Sequence, residues 1–190
     1  MIPIKELSSV EAPLLEQHFL ALPSEDRRLR FGAVLSDQAV CTYLRNIDYE
    51  RDALFGVWGD ELQIVGAAHL ARLDGHAELG VSVLPGHRGL GLGGALLGRA
   101  HKHARNWGVR AMFMHCMSEN SAIMHLARKQ GMDVVTNTGE ADAWLKLPPA
   151  DPTSHMSAVF EQRAALFDYA MKSQLMGVRR FAGAMTSLVE

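Results

Sequence analysis

The spacing of apolar residues changes from a period of two to a period of 3.6 on either side of Pro85. Residues 77–84 alternate between apolar and polar positions, which predicts a β-strand. Pro85 and Gly86 end that pattern, because both residues favour turns. The next apolar positions lie on one helix face, at Leu92, Leu96, Ala100 and Ala104. The pattern therefore predicts a strand, a glycine-rich turn and a helix in direct succession.

The same two periods assign most of the chain up to residue 147. They predict strands over residues 2–7, 53–58, 61–71, 77–83, 109–115, 132–136 and 141–147. They predict helices over about residues 8–22, 27–31, 36–46, 92–107 and 120–130. Asp74 and Gly75 predict a hairpin, so the middle strands should form an antiparallel meander that ends at the glycine-rich turn. In the first helix, Val10, Leu14, Leu15 and Phe19 are expected to face inward.

The segment from Arg27 to Phe31 carries three arginines and admits two interpretations. The first is a solvated helix face with Leu29 and Phe31 buried, which is the commoner arrangement of such residues. The second is that the segment borders a substrate pocket.

A long apolar stripe begins after Pro148 and Pro149, where we place the end of the first domain. Its members share one helical face: Met156, Phe160, Phe167, Met171, Leu175, Val178, Phe181, Ala182 and Met185. The stripe either packs against its own domain or contacts a partner helix, most simply in a homodimer. The sequence thus predicts a domain over residues 1–149 and a helical extension over residues 150–190.

Composition and charge exclude several classes of protein. The 190 residues are 48% hydrophobic and carry a formal net charge of −2, so no basic surface for nucleic acid is expected. No apolar run is long enough to span a membrane, and the acidic N-terminal segment does not resemble a signal peptide. Cys41 and Cys116 have no motif spacing, which suits a cytoplasmic protein. The nine histidines form no metal-binding motif, so we expect no metal.

The glycine-rich turn itself predicts a phosphate-bearing ligand. Arg88 is followed by glycines at 89, 91, 93 and 94, directly before the helix. Glycine allows close approach of the backbone to a ligand and positive φ angles. The free N–H groups and the dipole of a helix N-terminus together form an anion site.

Four interpretations of this turn compete. A Walker loop fails, because Gly93, Gly94 and Ala95 stand where Gly-Lys-Ser/Thr is required. The dinucleotide pattern G-x-G-x-x-G is met literally, but residues 109–114 lack the acidic residue that it requires downstream. An ordinary strand–helix turn would not need so many glycines, each of which costs stability. The fourth interpretation, R-x-x-G-x-G from Arg88 to Gly93, resembles the acetyl-CoA pyrophosphate loop of the GNAT acetyltransferase superfamily.

Two further segments carry the resemblance to this superfamily. Asn120, Ala122, Ile123, Leu126, Lys129, Gly131 and Met132 are similar to the GNAT segment that lines the pantetheine and thiol end of acetyl-CoA. Residues 22–31 and 46–51 resemble the acetyltransferase domain of bacterial protein lysine acetyltransferases. The resemblance covers most of residues 2–149.

The resemblance implies both a fold and an activity. The fold is the α/β (α+β) GNAT fold, a central mixed and mostly antiparallel twisted sheet flanked by helices, here with a C-terminal helical extension. The activity is direct transfer of an acetyl group from acetyl-CoA, as co-substrate, to an amine acceptor in a ternary complex. The acceptor is either a small amine or a protein lysine.

The resemblance also implies roles for individual residues. Glu78 is the candidate base, working through water; alternatively it is an outward polar residue of an alternating strand, on the face of Gly80 and Ser82. The backbones of Val81 and Val83 should bind the pantetheine arm. The pyrophosphate should be held by Arg88 and by the amides of Gly89, Leu90, Gly91, Leu92, Gly93 and Gly94.

One position departs from the family pattern. Many GNAT enzymes carry a tyrosine seven residues after the asparagine, as the acid that protonates the leaving thiolate, and here that position is Ala127. Asn120, Ser121, His125 or water are the candidate replacements. The departure leaves a second function open, a non-catalytic module that binds acyl-CoA and regulates another protein.

Overall fold

The computed structural model of the chain describes residues 1–186, with side chains through residue 180. Its strands are β1 Lys5–Leu7, β2 Ala53–Trp58, β3 Ile64–Arg72, β4 His76–Val83, β5 Ala111–Met117, β6 Asp133–Thr136 and β7 Glu140–Lys146. Its helices are α1 Ala12–Leu20, α2 Ser24–Phe31, α3 Asp37–Arg45, α4 Leu92–Asn106, α5 Ser121–Lys129 and α6 Pro152–Thr186. The predicted order of elements and the predicted fold class are confirmed.

The seven strands form one mixed sheet in the order β1-β2-β3-β4-β5-β7-β6. All neighbours are antiparallel except β4 and β5, which run parallel. These two strands pair over only three residues, from His76 opposite Ala111 to Glu78 opposite Phe113. Beyond Glu78 they no longer pair, and the sheet opens between the C-terminal halves of β4 and β5.

Helices cover both faces of the sheet, and a separate apolar core lies between the helices and the sheet on each face. On one face α4 packs against the central strands through Leu96, Leu97 and Ala100, which are fully buried. On the other face α1 and α3 pack through Phe19 and Val40. For α1, α3 and α4, the apolar faces predicted from the helical period are therefore the faces that pack on the sheet.

The expectation that Val10 faces the core is wrong. Its side chain is 81% exposed. Ser8 and Glu11 form a capping box around a 3₁₀ turn at Ser9–Glu11, and the α-helix begins only at Ala12. Val10 therefore lies ahead of the helical period that buries Leu15 and Phe19.

The core-facing side of α6 is mainly small and polar. Ala165 is buried, Tyr169 packs against Trp58 with tilted rings whose centroids are 4.6 Å apart, and Lys172 donates to the Trp58 carbonyl at 2.8 Å. The predicted apolar stripe lies on the opposite side. Its described members are exposed: Met156, Phe160, Phe167, Met171, Leu175 and Val178. Phe181, Ala182 and Met185 lie outside the residues whose side chains are described.

Candidate functional site

A cleft of about 500 Å³ lies at the opening between β4 and β5. Residues from α2, from the C-terminal half of β4, from the glycine-rich loop and from α5 form its walls. They are Leu22, Asp26, Leu29, Arg30, Val81, Ser82, Val83, His87, Arg88, Gly89, Gly91, Leu92, Gly93, Gly94, Asn120, Ala122, Ile123, His125 and Leu126. Leu29 and Arg30 of the arginine-rich segment border this cleft, and Leu29 and Phe31 are only partly buried.

The glycine-rich loop delivers free backbone N–H groups to the cleft. Gly91 is the N-cap of α4 and has φ +79°. The first N–H that bonds within the helix is that of Ala95, to the carbonyl of Gly91 at 3.0 Å. The amides of residues 92–94 therefore have no intrahelical partner, and no side chain caps them. With the helix dipole, these amides form a site for an anion.

Gly93 and Gly94 have a different structural role from Gly91. A Cβ atom on Gly93 would lie 3.3 Å from Leu126, and one on Gly94 would lie 3.4 Å from the same side chain. These two glycines let α5 approach the first turn of α4, which narrows the cleft between the two helices.

Arg88 stands at the mouth of the anion site. Its Nε donates to the Val83 carbonyl at 3.1 Å, and its Nη2 lies 2.5 Å from Oδ2 of Asp26. The first contact fixes the arginine to the end of β4. The second contact places a carboxylate of α2 beside the guanidinium, where an incoming anion would compete with it.

Beyond Glu78, the backbone of β4 pairs with no described strand on the side that faces the opening, where the Val83 carbonyl accepts from Arg88. The Leu84 amide donates to Val65 and the His76 carbonyl accepts from Leu73, so even-numbered residues of β4 bond to β3. In an antiparallel ladder, alternate residues direct their backbone groups to opposite sides. The groups of Val81 and Val83 therefore point toward β5, which pairs with β4 only as far as Glu78.

Ser82 presents a hydrogen-bond acceptor to the cleft. Nδ1 of His18 contacts the Ile64 carbonyl at 2.8 Å and must donate to it, so Nε2 carries the lone pair. The Ser82 hydroxyl, 2.8 Å away, then donates to Nε2 and leaves its oxygen lone pairs for a ligand. Burial, together with the nearby charge of Arg30, lowers the pKa of His18 to about 4, so this arrangement holds at neutral pH.

A second chain of hydrogen bonds ends at Arg30. Nε2 of His69 donates to Asp52 at 3.0 Å, so Nδ1 accepts the Tyr43 hydroxyl proton at 2.6 Å. The Tyr43 oxygen in turn accepts from Nη2 of Arg30 at 3.1 Å. Burial lowers the pKa of His69 and keeps the ring neutral. Burial acts to raise the pKa of Asp52, but the hydrogen bonds that this carboxylate accepts outweigh it and lower the pKa.

Most of the predicted site residues meet in this cleft. Those that line it are Val81, Val83, Arg88, Gly89, Gly91, Leu92, Gly93, Gly94 and Asn120. Leu90 is exposed and lies outside the lining. Glu78 also lies outside it, exposed on β4 at the last residue that pairs with β5.

Asn120 and Ala127 mark the α5 wall. Oδ1 of Asn120 accepts from the Ile123 amide at 3.2 Å and caps α5, which leaves its amide N–H bonds for a ligand. Ala127 is buried in the core beneath α5. His125 lies on the same helix and lines the cleft, whereas Ser121 does not.

Sequence reasoning missed the polar residues behind the cleft. They are His18, Ser82, Tyr43, His69 and Asp52. Each bond joins residues far apart in sequence, and His18 and Ser82 are separated by 64 positions. No local pattern carries that information.

Two classes of feature are absent from the described part of the chain. Over residues 1–186, no helix has the length and apolar content needed to cross a bilayer. Within the same range, no three His, Cys, Asp or Glu side chains cluster in a way that could hold a metal ion.

Comparison with known proteins agrees with this geometry. A sequence profile of the acetyltransferase (GNAT) family matches residues 19–132, more than half of the chain. No curated protein sequence matches the chain.

Solved structures share the fold. The GNAT domain of S. lividans PAT is 18% identical with a TM-score of 0.65, over 76% of this chain and 89% of that one. The ribosomal-protein-S18-alanine N-acetyltransferase of Escherichia coli is 20% identical with a TM-score of 0.57, over 78% and 94%. A Salmonella typhimurium protein solved with its cofactor acetyl-CoA is 18% identical with a TM-score of 0.59, over 78% and 95%. The profile match, together with this shared fold, shows that the chain belongs to the GNAT acetyltransferase family.

Proposed function

We propose that this protein transfers the acetyl group of acetyl-CoA to the nitrogen of an amine. Family membership implies acyl transfer from acetyl-CoA. The observation that supports binding of acetyl-CoA is the anion site at the N-terminus of α4, which opens into a cleft bordered by β4 backbone that pairs with no strand. A pyrophosphate fits the anion site, and an extended amide-bearing chain fits the β4 edge.

The chain's own residues divide the binding of acetyl-CoA between them. Arg88 and the free amides of residues 89–94 hold the pyrophosphate. The backbone of Val81 and Val83 bonds to the pantetheine amides as an added strand would. Asn120 donates its side-chain N–H to the thiol end. When bound, acetyl-CoA supplies an activated thioester carbonyl.

Glu78 is proposed as the base that removes a proton from the amine. It lies where β4 and β5 diverge, on the strand that borders the cleft. As the C–N bond forms and the C–S bond breaks, Glu78 takes the amine proton through bridging water. The Val81 amide, directed into the opening, donates to the thioester oxygen as negative charge develops there.

The thiolate that leaves needs a proton donor other than a tyrosine. Ala127 offers no polar group and is buried in the core. His125 and Asn120 both line the cleft on the α5 side. We propose that one of these side chains, or water, supplies the proton.

The second candidate function is a regulatory module that binds acyl-CoA without turnover, which Ala127 favours. Calorimetric titration with acetyl-CoA and with NAD, followed by assay of free thiol with added amines, separates the two. Binding of acetyl-CoA with amine-dependent thiol release is expected. Tight binding without release under any amine would establish the module, and binding of NAD alone would refute the assignment of the loop.

The exposed stripe of α6 supports a homodimer. A helix whose polar side packs on its own domain and whose apolar side faces solvent is the reverse of an ordinary surface helix. Two copies related by a two-fold axis would cover each other's stripe. We propose that the exposed stripe of α6 forms this contact. We also propose that the enzyme is cytoplasmic, where its two free cysteines would stay reduced.

Charging the stripe is expected to break this dimer. Phe160 is 66% exposed and Phe167 is 69% exposed, so Phe160→Glu and Phe167→Glu leave the core intact. Light scattering should show the mass fall from that of two chains to that of one. Val34→Glu, at an exposed apolar residue of the loop before α3, is the matched control. A wild-type chain that is monomeric at high concentration contradicts the proposal.

A further inference from the structure

Arg30 places an unneutralised positive charge at one end of the cleft. Its guanidinium covers Gly80, since a Cβ atom there would lie 2.1 Å from its central carbon. Along β4, Gly80 precedes Val81 and Val83 and so lies farther than they do from the glycine-rich loop. The pyrophosphate site and Arg30 therefore lie at opposite ends of the bordering segment of β4.

The other arginines around α2 pair with carboxylates, and Arg30 does not. Arg27 pairs with Asp37, Arg28 with Glu25, and Arg88 with Asp26. Arg30 makes one hydrogen bond, to the Tyr43 oxygen, and has no carboxylate within 4 Å among the side chains through residue 180. Its Nε is buried without a partner. A guanidinium has five N–H donors, so most of them are unused.

The surroundings hold this guanidinium in place. It lies 4.8 Å from the centre of the Phe31 ring and 5.9 Å from that of Tyr43. The Tyr43 oxygen that accepts from it is fixed through His69 by Asp52. Arg30 is thus preorganised, with partly desolvated donors, which is what a site for a planar anion requires.

Ser82 lies beside Arg30 on the same face of β4. The Cα atoms of residues 80 and 82 lie about 7 Å apart along a strand, because each residue advances the chain by about 3.3 Å. The Ser82 oxygen accepts hydrogen bonds, as shown above, and suits an N–H of an amine. A substrate bound here would have Ser82 to bind its amine and Arg30 to bind a nearby anionic group of the same molecule.

We propose that the acceptor is an amine whose own molecule carries a neighbouring carboxylate, which Arg30 binds. This inference rests on the proposed acetyl transfer and names the substrate class of that reaction. A lysine side chain in a basic stretch is a poor fit, because Arg30 repels further positive charge. A free amino acid and a peptide with an acidic residue beside its terminal amine share the required chemistry.

The test compares amines that differ only at the carboxylate. The probes are the L-amino acids together with glycine, β-alanine and 4-aminobutyrate. Each is compared with the neutral carboxamide in which –CONH₂ replaces its carboxylate. The peptides Ala-Asp-Ala-amide and Ala-Asn-Ala-amide distinguish a peptide source from a free acid. Thiol release gives kcat/KM, and calorimetric titration into the CoA-loaded protein gives affinity without turnover.

We expect at least one carboxylate probe to exceed its neutral counterpart in kcat/KM by about 10- to 100-fold, the range of a charge-assisted contact. Arg30→Gln should remove that preference while acetyl-CoA affinity stays within twofold. Arg45→Gln removes the same charge from an exposed site on α3 and should change neither value.

Two results overturn the inference. One is that no carboxylate probe binds or reacts better than its neutral counterpart in the wild-type protein, a comparison that needs no variant. The other is that Arg30→Gln lowers turnover equally for both members of every pair, as expected of a contact with the thioester oxygen. Failure of the proposed function appears differently, as absence of acetyl-CoA binding or of thiol release with any amine.

Discussion

Replacing Gly91 with valine is expected to abolish measurable binding of acetyl-CoA. Gly91 has φ +79°, a conformation that costs an L-residue about 1–2 kcal/mol and is least accessible to β-branched side chains. The valine backbone will leave this region, and the free amides of residues 92–94 will turn away from the cleft. Calorimetry should show the dissociation constant rise by at least about 100-fold, or about 2.7 kcal/mol.

The matched control for this substitution is Gly86→Val. Gly86 lies in the same connection between β4 and α4, but its φ is not positive and a Cβ atom there meets nothing within 4 Å. The control should bind acetyl-CoA as the wild type does. Circular dichroism must show both variants folded, since Gly91 lies on the surface side of the loop. Micromolar binding by folded Gly91→Val would refute the role of the loop.

Local patterns were sufficient to predict the half of the site that binds a phosphate. Strand, breaker, positive-φ glycines and helix follow one another within residues 77–104, and each has its own sequence signature. The short pairing of β4 with β5 was not predictable. The two strands are separated by α4 in the chain, and no local pattern sets how many of their residues pair.

The half of the cleft that faces α2 was beyond sequence reasoning for a different reason. His18, Ser82, Tyr43 and His69 are each unremarkable in their own segments, and their chemistry arises from pairing across the sheet. The direction of each hydrogen bond is set by an acceptor at the end of the hydrogen-bonded series, the Ile64 carbonyl for His18 and the Asp52 carboxylate for His69. Only tertiary structure reveals which histidine nitrogen carries a proton.

Helix α6 shows a third limit. Its apolar period predicted a single helix and one buried side, and the helix is present. The side that packs on the domain is instead the one with Ala165 and Lys172. Periodicity identifies a face that avoids water, but it does not identify which surface covers that face.

Replacing Glu78 with glutamine is expected to lower kcat at pH 7 by about 100- to 10,000-fold, the usual contribution of a general base. Glutamine keeps the size of the side chain and removes its ability to accept a proton. Because Glu78 lies outside the lining of the cleft, acetyl-CoA affinity should stay within twofold of the wild type. Stopped assays of thiol release, with calorimetry on the same samples, measure both quantities.

The pH dependence of this variant separates a base from a residue that only shapes the strand. An α-amine with a pKa of about 8 deprotonates in solution as the pH rises to 9, so the deficit of Glu78→Gln should narrow there. A purely structural defect would persist at every pH. Glu61→Gln, at an exposed residue of the turn before β3, is the control and should match the wild type. Equal turnover of Glu78→Gln and wild type across this range would remove Glu78 as the base and leave the amine proton to water.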